Sequence, residues 1–209
     1  MALLTALDIC NSACARIGEE PIESLEDDLG GGQSASLIYE DVVDFNLGLQ
    51  PSGFAFAREV RQLSRLDVAA PLTGYKYVFD IPRPYTGLPV FLTDDPTCPD
   101  QVFTKFILTN EQVHASVDPL FAMVKFRPDP HRWTATFRMA TITAIGGHLA
   151  YAIASDRNTK ADFLQEAYGV PSDNFRGGQM RAALAEDGFA NPPRRQAVFR
   201  NPLERAWRS

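Results

Sequence analysis

Helical periodicity at both ends of the chain, separated by a stretch that cannot be helical, is the feature that most restricts the fold. Leu3, Ala6, Leu7, Cys10, Ala13, Cys14 and Ile17 recur at three- and four-residue steps, which predicts an amphipathic helix over Leu3 to Ile17 with Gly18 at its C-terminal cap. Glu19 to Gly32 carries a proline, carboxylates and glycines and reads as a loop with two apolar anchors, Ile22 and Leu25. A second helix is expected from Ser34, as N-cap, to Leu49, and a third, shorter one from Phe54 to Leu66. From Leu72 to Phe126 prolines and glycines punctuate short runs of β-branched and aromatic residues, a pattern of about five antiparallel strands. The helical period returns at His131 in a helix apolar nearly all round, and a last helix, Thr159 to Asp187, is expected to kink or break at Pro171.

The fold class implied is α+β: an antiparallel helical bundle (1–70 and 129–190), an inserted small antiparallel β domain (71–128) and an extended C-terminal tail (191–209). Gly146 and Gly147 inside the central helix each cost about 1 kcal/mol relative to alanine, which predicts close approach of another backbone there. The longest apolar stretch, Ala140 to Ala154, is too short and too interrupted to span a bilayer, so no membrane partner is expected. The opening Met1-Ala2-Leu3-Leu4 has no basic leader and Asp8 breaks its apolar run, so a soluble chain made in a cytosol is expected.

Cys10 and Cys14 lie one helical turn apart and, with Cys98, read as small buried residues rather than metal ligands. His114, His131 and His148 include no metal-binding i, i+4 pair, and His148 reads as a hydrogen-bonded core histidine. Gly30 to Gly32 lacks the Lys-Ser/Thr of a phosphate loop. The pairs Glu19-Glu20, Asp27-Asp28 and Asp94-Asp95 read as solvated loop charge, with Asp94-Asp95-Pro96 a turn. No catalytic residue, cofactor or metal is therefore expected. The rival enzymatic reading is a small carboxylate-dependent hydrolase working through Glu19, Glu20, Asp94 and Asp95.

Net charge is −6, but Arg194, Arg195, Arg200, Arg205 and Arg208 stand against Glu204 alone in the last nineteen residues, a local +4 that leaves −10 for the rest. There Arg194, Arg195, Phe199, Arg200, Leu203, Arg205, Trp207 and Arg208 alternate cations with large apolar anchors. This pattern favours a segment that orders on a protein partner over a basic arm that binds nucleic acid by charge.

Ala6-Leu7-Asp8-Ile9-Cys10-Asn11, Ala15-Arg16-Ile17-Gly18-Glu19-Glu20-Pro21-Ile22-Glu23-Ser24-Leu25-Glu26-Asp27, Ala35 to Tyr39 and Phe54-Ala55-Phe56-Ala57 resemble the start of phage tail tubular protein A and related head-to-tail adaptors. Gly74-Tyr75-Lys76-Tyr77-Val78-Phe79-Asp80-Ile81-Pro82 is similar to that family's Gly-Tyr-x-Tyr-x-Tyr-x-Leu-Pro strand. The quoted motifs lie within the first 82 residues and none is catalytic; Phe54 stands where the family usually has tryptophan, and the cysteine usual shortly after Pro82 is absent. The resemblance implies a helical body bearing a β insertion, in a ring of twelve copies at the virion neck of a tailed phage or gene-transfer-agent particle. Its implied partners are further copies of itself, the portal protein, contacted by the C-terminal segment, and a downstream tail, nozzle or stopper protein. Genomic DNA would pass through the lumen without sequence specificity. An acidic body suits such a conduit, because like charge keeps the duplex off the walls.

Overall fold

The computed structural model describes residues 3–26, 32–68, 72–97 and 102–190. It is a mixed α+β structure, with five α-helices and seven strands among the described residues. It divides into two compact units: Met1–Glu59, Pro84–Gly87 and Lys125–Ala190 form the first, Val60–Arg83 and Leu88–Val124 the second.

The first unit contains all the helices. Helix α1, Ala6–Ile17, starts at a capping box: the Thr5 amide donates to Asp8 Oδ2 at 2.8 Å and the Asp8 amide to Thr5 Oγ1 at 3.3 Å. It ends on Gly18 at φ 78°, as a left-handed cap requires. Ile9, Cys10, Ala13 and Cys14 form its buried stripe. The loop that follows is pinned by Asn11, whose side chain both donates to the Ile22 carbonyl (3.1 Å) and accepts from the Ile22 amide (2.7 Å), while Ile22 is buried and Leu25 packs on the core. Helix α2, Gly32–Gly48, begins two residues ahead of Ser34, which is therefore not its cap.

Helix α3, Ala135–Ala154, is the hub, packing against α1, α2, α4 (Arg157–Tyr168) and α5 (Gly178–Ala190). That explains why it is apolar all round: eleven of its residues are buried, including both glycines. A Cβ on Gly147 would lie 3.0 Å from Phe163 Cβ and 3.2 Å from the Lys160 carbonyl oxygen, and one on Gly146 3.5 Å from the Ala13 carbonyl oxygen. The close backbone approach that the glycine pair predicts is present, from α1 and α4 at once. An aromatic cluster closes one end of the core: Phe54 lies 5.0 Å from Phe137, and Trp133 lies 5.3 Å from Phe137 and stacks on Tyr39.

The second unit is built of strands. Strands β2 (Ser64–Leu66), β3 (Tyr77–Asp80), β6 (Gln112–Ala115) and β5 (Phe106–Thr109) form one antiparallel sheet in that order, with Phe79 opposite Val113 and both fully buried. Asn110 and Glu111, at φ 50° and 61°, make the two-residue turn between β5 and β6. A second sheet has the order β1 (Arg58–Gln62), β7 (Phe121–Lys125), β4 (Phe91–Thr93). Leu63, Val78, Ile81, Leu92, Ala115, Leu120, Ala122 and Val124 are also buried in this unit.

The structure departs from the expectations at several other points. Phe54 to Leu66 is not a helix: Ala55–Ala57 is a single 3-10 turn, and β1 and β2 follow. The apolar step Ala57, Val60, Leu63 looks helical, yet Val60 is 44% exposed, and backbone bonds at Ala57 (to Phe126) and Leu63 (to Leu120) take the segment into a ladder with β7. Pairing across the sheet outweighs a weak local preference. The β unit consequently opens at Val60 rather than at 71 and closes at Val124 rather than 128, and it holds more strands than five. The break expected at Pro171 is present and falls at Gly169, two residues earlier, so the last helix is two; its second part, α5, continues through Gly188 to Ala190. The central helix starts at Ala135, with His131 in a separate 3-10 turn. The expected extended tail, 191–209, lies outside the described residues.

Candidate functional site

The break between α4 and α5 creates the most distinctive surface of the helical unit. Gly169, at φ 80°, ends α4; Pro171–Asp173 makes a 3-10 turn; Asn174 and Phe175 sit at φ 51° and 61°. Left-handed backbone is uncommon for a bulky aromatic residue. Here it turns the Phe175 ring against Phe45 of α2, 5.4 Å away, and Tyr168, 5.9 Å away, with Phe45 and Tyr168 themselves at 5.7 Å. The connection is held by the Asp173 carboxylate, which accepts from the Val170 amide, and by Arg176, which donates to the Leu49 carbonyl at the end of α2.

Between α2, α4 and this connection lies an open groove of about 920 Å³. Its walls include Val42, Phe45, Leu164, Tyr168, Val170 and Phe175, and its polar residues are Asp41, His148 and Gln165. Phe45, Val170 and Phe175 are 43%, 43% and 58% exposed, so three large apolar side chains of one groove face solvent together. A contiguous apolar surface of this kind marks an interaction site more often than scattered single residues do.

Tyr168 of the groove wall is hydrogen-bonded into the core. Asn46 is fully buried; it donates to Thr141 Oγ1 (3.0 Å) and accepts from the Tyr168 hydroxyl (2.7 Å), and Thr141 in turn donates to the Phe137 carbonyl (2.9 Å). Burial raises the Tyr168 phenol above its ordinary range against the opposing hydrogen bond to Asn46, so it remains a neutral donor. His148, expected as a hydrogen-bonded core residue, is half-buried and lines the groove instead. Desolvation is the main cause of its lowered pKa and Lys160 adds to it, while Asp41 opposes both. A neutral imidazole and one carboxylate in an apolar cleft suit an apolar side chain accompanied by a cation.

The remaining expected residues are placed as follows. Cys10 and Cys14 are buried thiols; burial pushes Cys10 up to about 12, far from thiolate reactivity. Glu19 and Glu20 belong to the helical unit and Asp94 and Asp95 to the β unit. Asp95 is engaged in a turn, accepting from the Thr97 amide and hydroxyl at 2.9 and 2.6 Å. His114 shares a hydrogen bond with Thr73 at 2.9 Å. Among the described residues no group of three His, Cys, Asp or Glu side chains converges to hold a metal ion, and no helix is long and apolar enough to cross a membrane. Arg194, Arg195, Phe199, Arg200, Leu203, Arg205, Trp207 and Arg208, the expected portal-contacting residues, lie outside the described residues, as do Cys98, Asp27, Asp28, Gly30 and Gly31.

Sequence reading missed Phe45, Val170 and Phe175 as surface residues. Phe45 falls on the apolar stripe of α2, and Phe175 falls in phase with Leu164, Tyr168 and Ala182 of the last expected helix. The available signal was Gly169-Val170-Pro171, which ends a helix and leaves apolar side chains in a connection. No protein-family model matches the chain, and no curated protein matches it.

Proposed function

We propose that the chain is a structural head-to-tail adaptor subunit that assembles into a ring beneath the portal, joining capsid to tail and letting DNA pass through its lumen. The observation that carries this reading is the interruption of a helical unit, between α2 and α3, by an antiparallel β unit, the organisation implied by resemblance to head-to-tail adaptors. The motif residues carrying that resemblance have structural work to do: Gly18 caps α1 and Asn11 clamps Ile22. The reading includes an antiparallel bundle as the ring body, a C-terminal segment that engages the portal, and no bond-making chemistry.

A ring arises when each subunit's contact with the next repeats through a rotation that closes. Native mass spectrometry of the full-length chain, alone and mixed with the portal ring of its own particle, tests this. Addition of twelve copies per portal is expected, together with at least about tenfold weaker binding when Phe199 and Trp207 are replaced by alanine. A chain that stays single and unbound in the presence of portal and tail components refutes the proposal.

A further inference from the structure

The open groove of the helical unit points to an occupant carried by the chain itself. We infer that in the free subunit the C-terminal segment folds back, seating Phe199, Leu203 and Trp207 along the groove of its own chain while its arginines face Asp41. Three observations converge on this.

The first is reach. Asp187, in the last turn of α5, accepts from Gln50 Nε2 at 2.8 Å and from the Ala55 amide at 2.6 Å, so the end of α5 is tied to the end of α2. At about 1.5 Å per helical residue, Phe45 lies roughly 8 Å and Asp41 roughly 14 Å back along α2 from Gln50. Phe199 lies nine residue steps beyond Ala190, enough to span about 30 Å when extended. The first anchor therefore reaches any point of the α2 wall, and Leu203 and Trp207 follow at four-residue steps.

The second is chemical match. The groove exposes aromatic and aliphatic walls, and the segment supplies large apolar groups and has few other apolar side chains of that size. The third is charge. Asp41 lines the groove and has no ion-pair partner among the described residues. Arg200, Arg205 and Arg208 flank the three anchors, bringing a +4 segment to a body of −10. Because the segment is covalently attached, its effective concentration at the groove is in the millimolar range, so weak contacts suffice. The inference concerns the subunit before assembly and does not rest on the ring reading. A portal that binds the same anchors would have to displace them from the groove.

The test uses the full-length chain. Amide hydrogen exchange at Val42 to Phe45 and Leu164 to Val170 is compared between the wild type and F199A/L203A/W207A. Loss of the anchors is expected to speed exchange there on the order of tenfold and to leave the β unit unchanged. As a second measurement, Trp133→Phe makes Trp207 the lone tryptophan, since the chain has two. Its fluorescence should resist acrylamide quenching until the exposed groove residue Val170 is changed to arginine. Unaltered exchange in the triple variant, or Trp207 as quenchable as in the free peptide 191–209, overturns the inference. Protection that appears only as dimers form in sedimentation velocity also overturns it, assigning the groove to a second copy. Failure of the ring reading is visible separately, in portal binding.

Discussion

Gly147 and His148 are neighbours with opposite constraints. Alanine is the better helix former by about 1 kcal/mol, yet at Gly147 its Cβ would press on Phe163 Cβ and the Lys160 carbonyl at 3.0 and 3.2 Å. Gly147→Ala is expected to destabilise by about 1–3 kcal/mol in urea titrations, as overpacking does. Gly188, near the end of α5, meets nothing within 4 Å, so Gly188→Ala is expected to stabilise by roughly 0.5 kcal/mol in the same assay. His148 is held below the ordinary histidine value of 6.5, chiefly by desolvation. The folded state therefore prefers the neutral ring. The stability this brings is whole above the unfolded value and is lost as pH falls from there toward the folded value. Thermal melts between pH 7.5 and pH 5 should show falling stability in the wild type and a shallower fall in His148→Gln. Asp8 and Asp156, whose carboxyls are held low by hydrogen bonds to Thr5 and Thr159, lose their contributions only in more acidic solution.

The contrast between α1 and the segment after α2 shows what decides an element. Helix α1 has a capping box, a buried stripe and a glycine stop, and all three agree. Phe54 to Leu66 has helical apolar spacing without a comparable cap, and long-range pairing with β7 claims it. Loss of a cap should be measurable where a cap is the main terminal device. The Asp156 carboxylate accepts from the Asn158 and Thr159 amides at 2.9 and 3.1 Å and starts α4. Asp156→Ala is expected to lower the midpoint of urea titrations. The tie between α2 and α4 is the Asn46 to Tyr168 hydrogen bond. Tyr168→Phe, which leaves the Asn46 oxygen buried without that donor, is expected to cost about 1–3 kcal/mol. It should also loosen the groove wall, visible as faster exchange at the end of α4.

At the scale of the whole molecule, charge is segregated along the chain, with an acidic body and arginines gathered after Asn191. Duplex binding by charge alone needs several phosphate contacts and weakens steeply with salt. Fluorescence anisotropy is expected to show little duplex affinity at about 0.15 M salt. What binding remains at low salt should vanish when Arg194, Arg195, Arg200, Arg205 and Arg208 become alanine. Two units with separate buried sets also divide the effects of mutation. Phe79→Ala, in the centre of a β sheet, is expected to cost about 3–5 kcal/mol, and hydrogen exchange should report it first in the β unit.

Local pattern alone determined the order of helical, β and helical regions, the cap of α1, the anchoring of Ile22 and the need for close packing at Gly146 and Gly147. Each of these depends on residues within a few turns of one another or on the steric demands of one side chain. The strand character of Arg58–Gln62 and the groove walled by Phe45 and Phe175 were decided only in three dimensions. A strand's ladder bonds come from partners some sixty residues away, and whether an apolar side chain faces core or solvent depends on which helix lies opposite it. Periodicity records that a face is apolar. Only packing determines whether the chain has enough of its own surface to cover it.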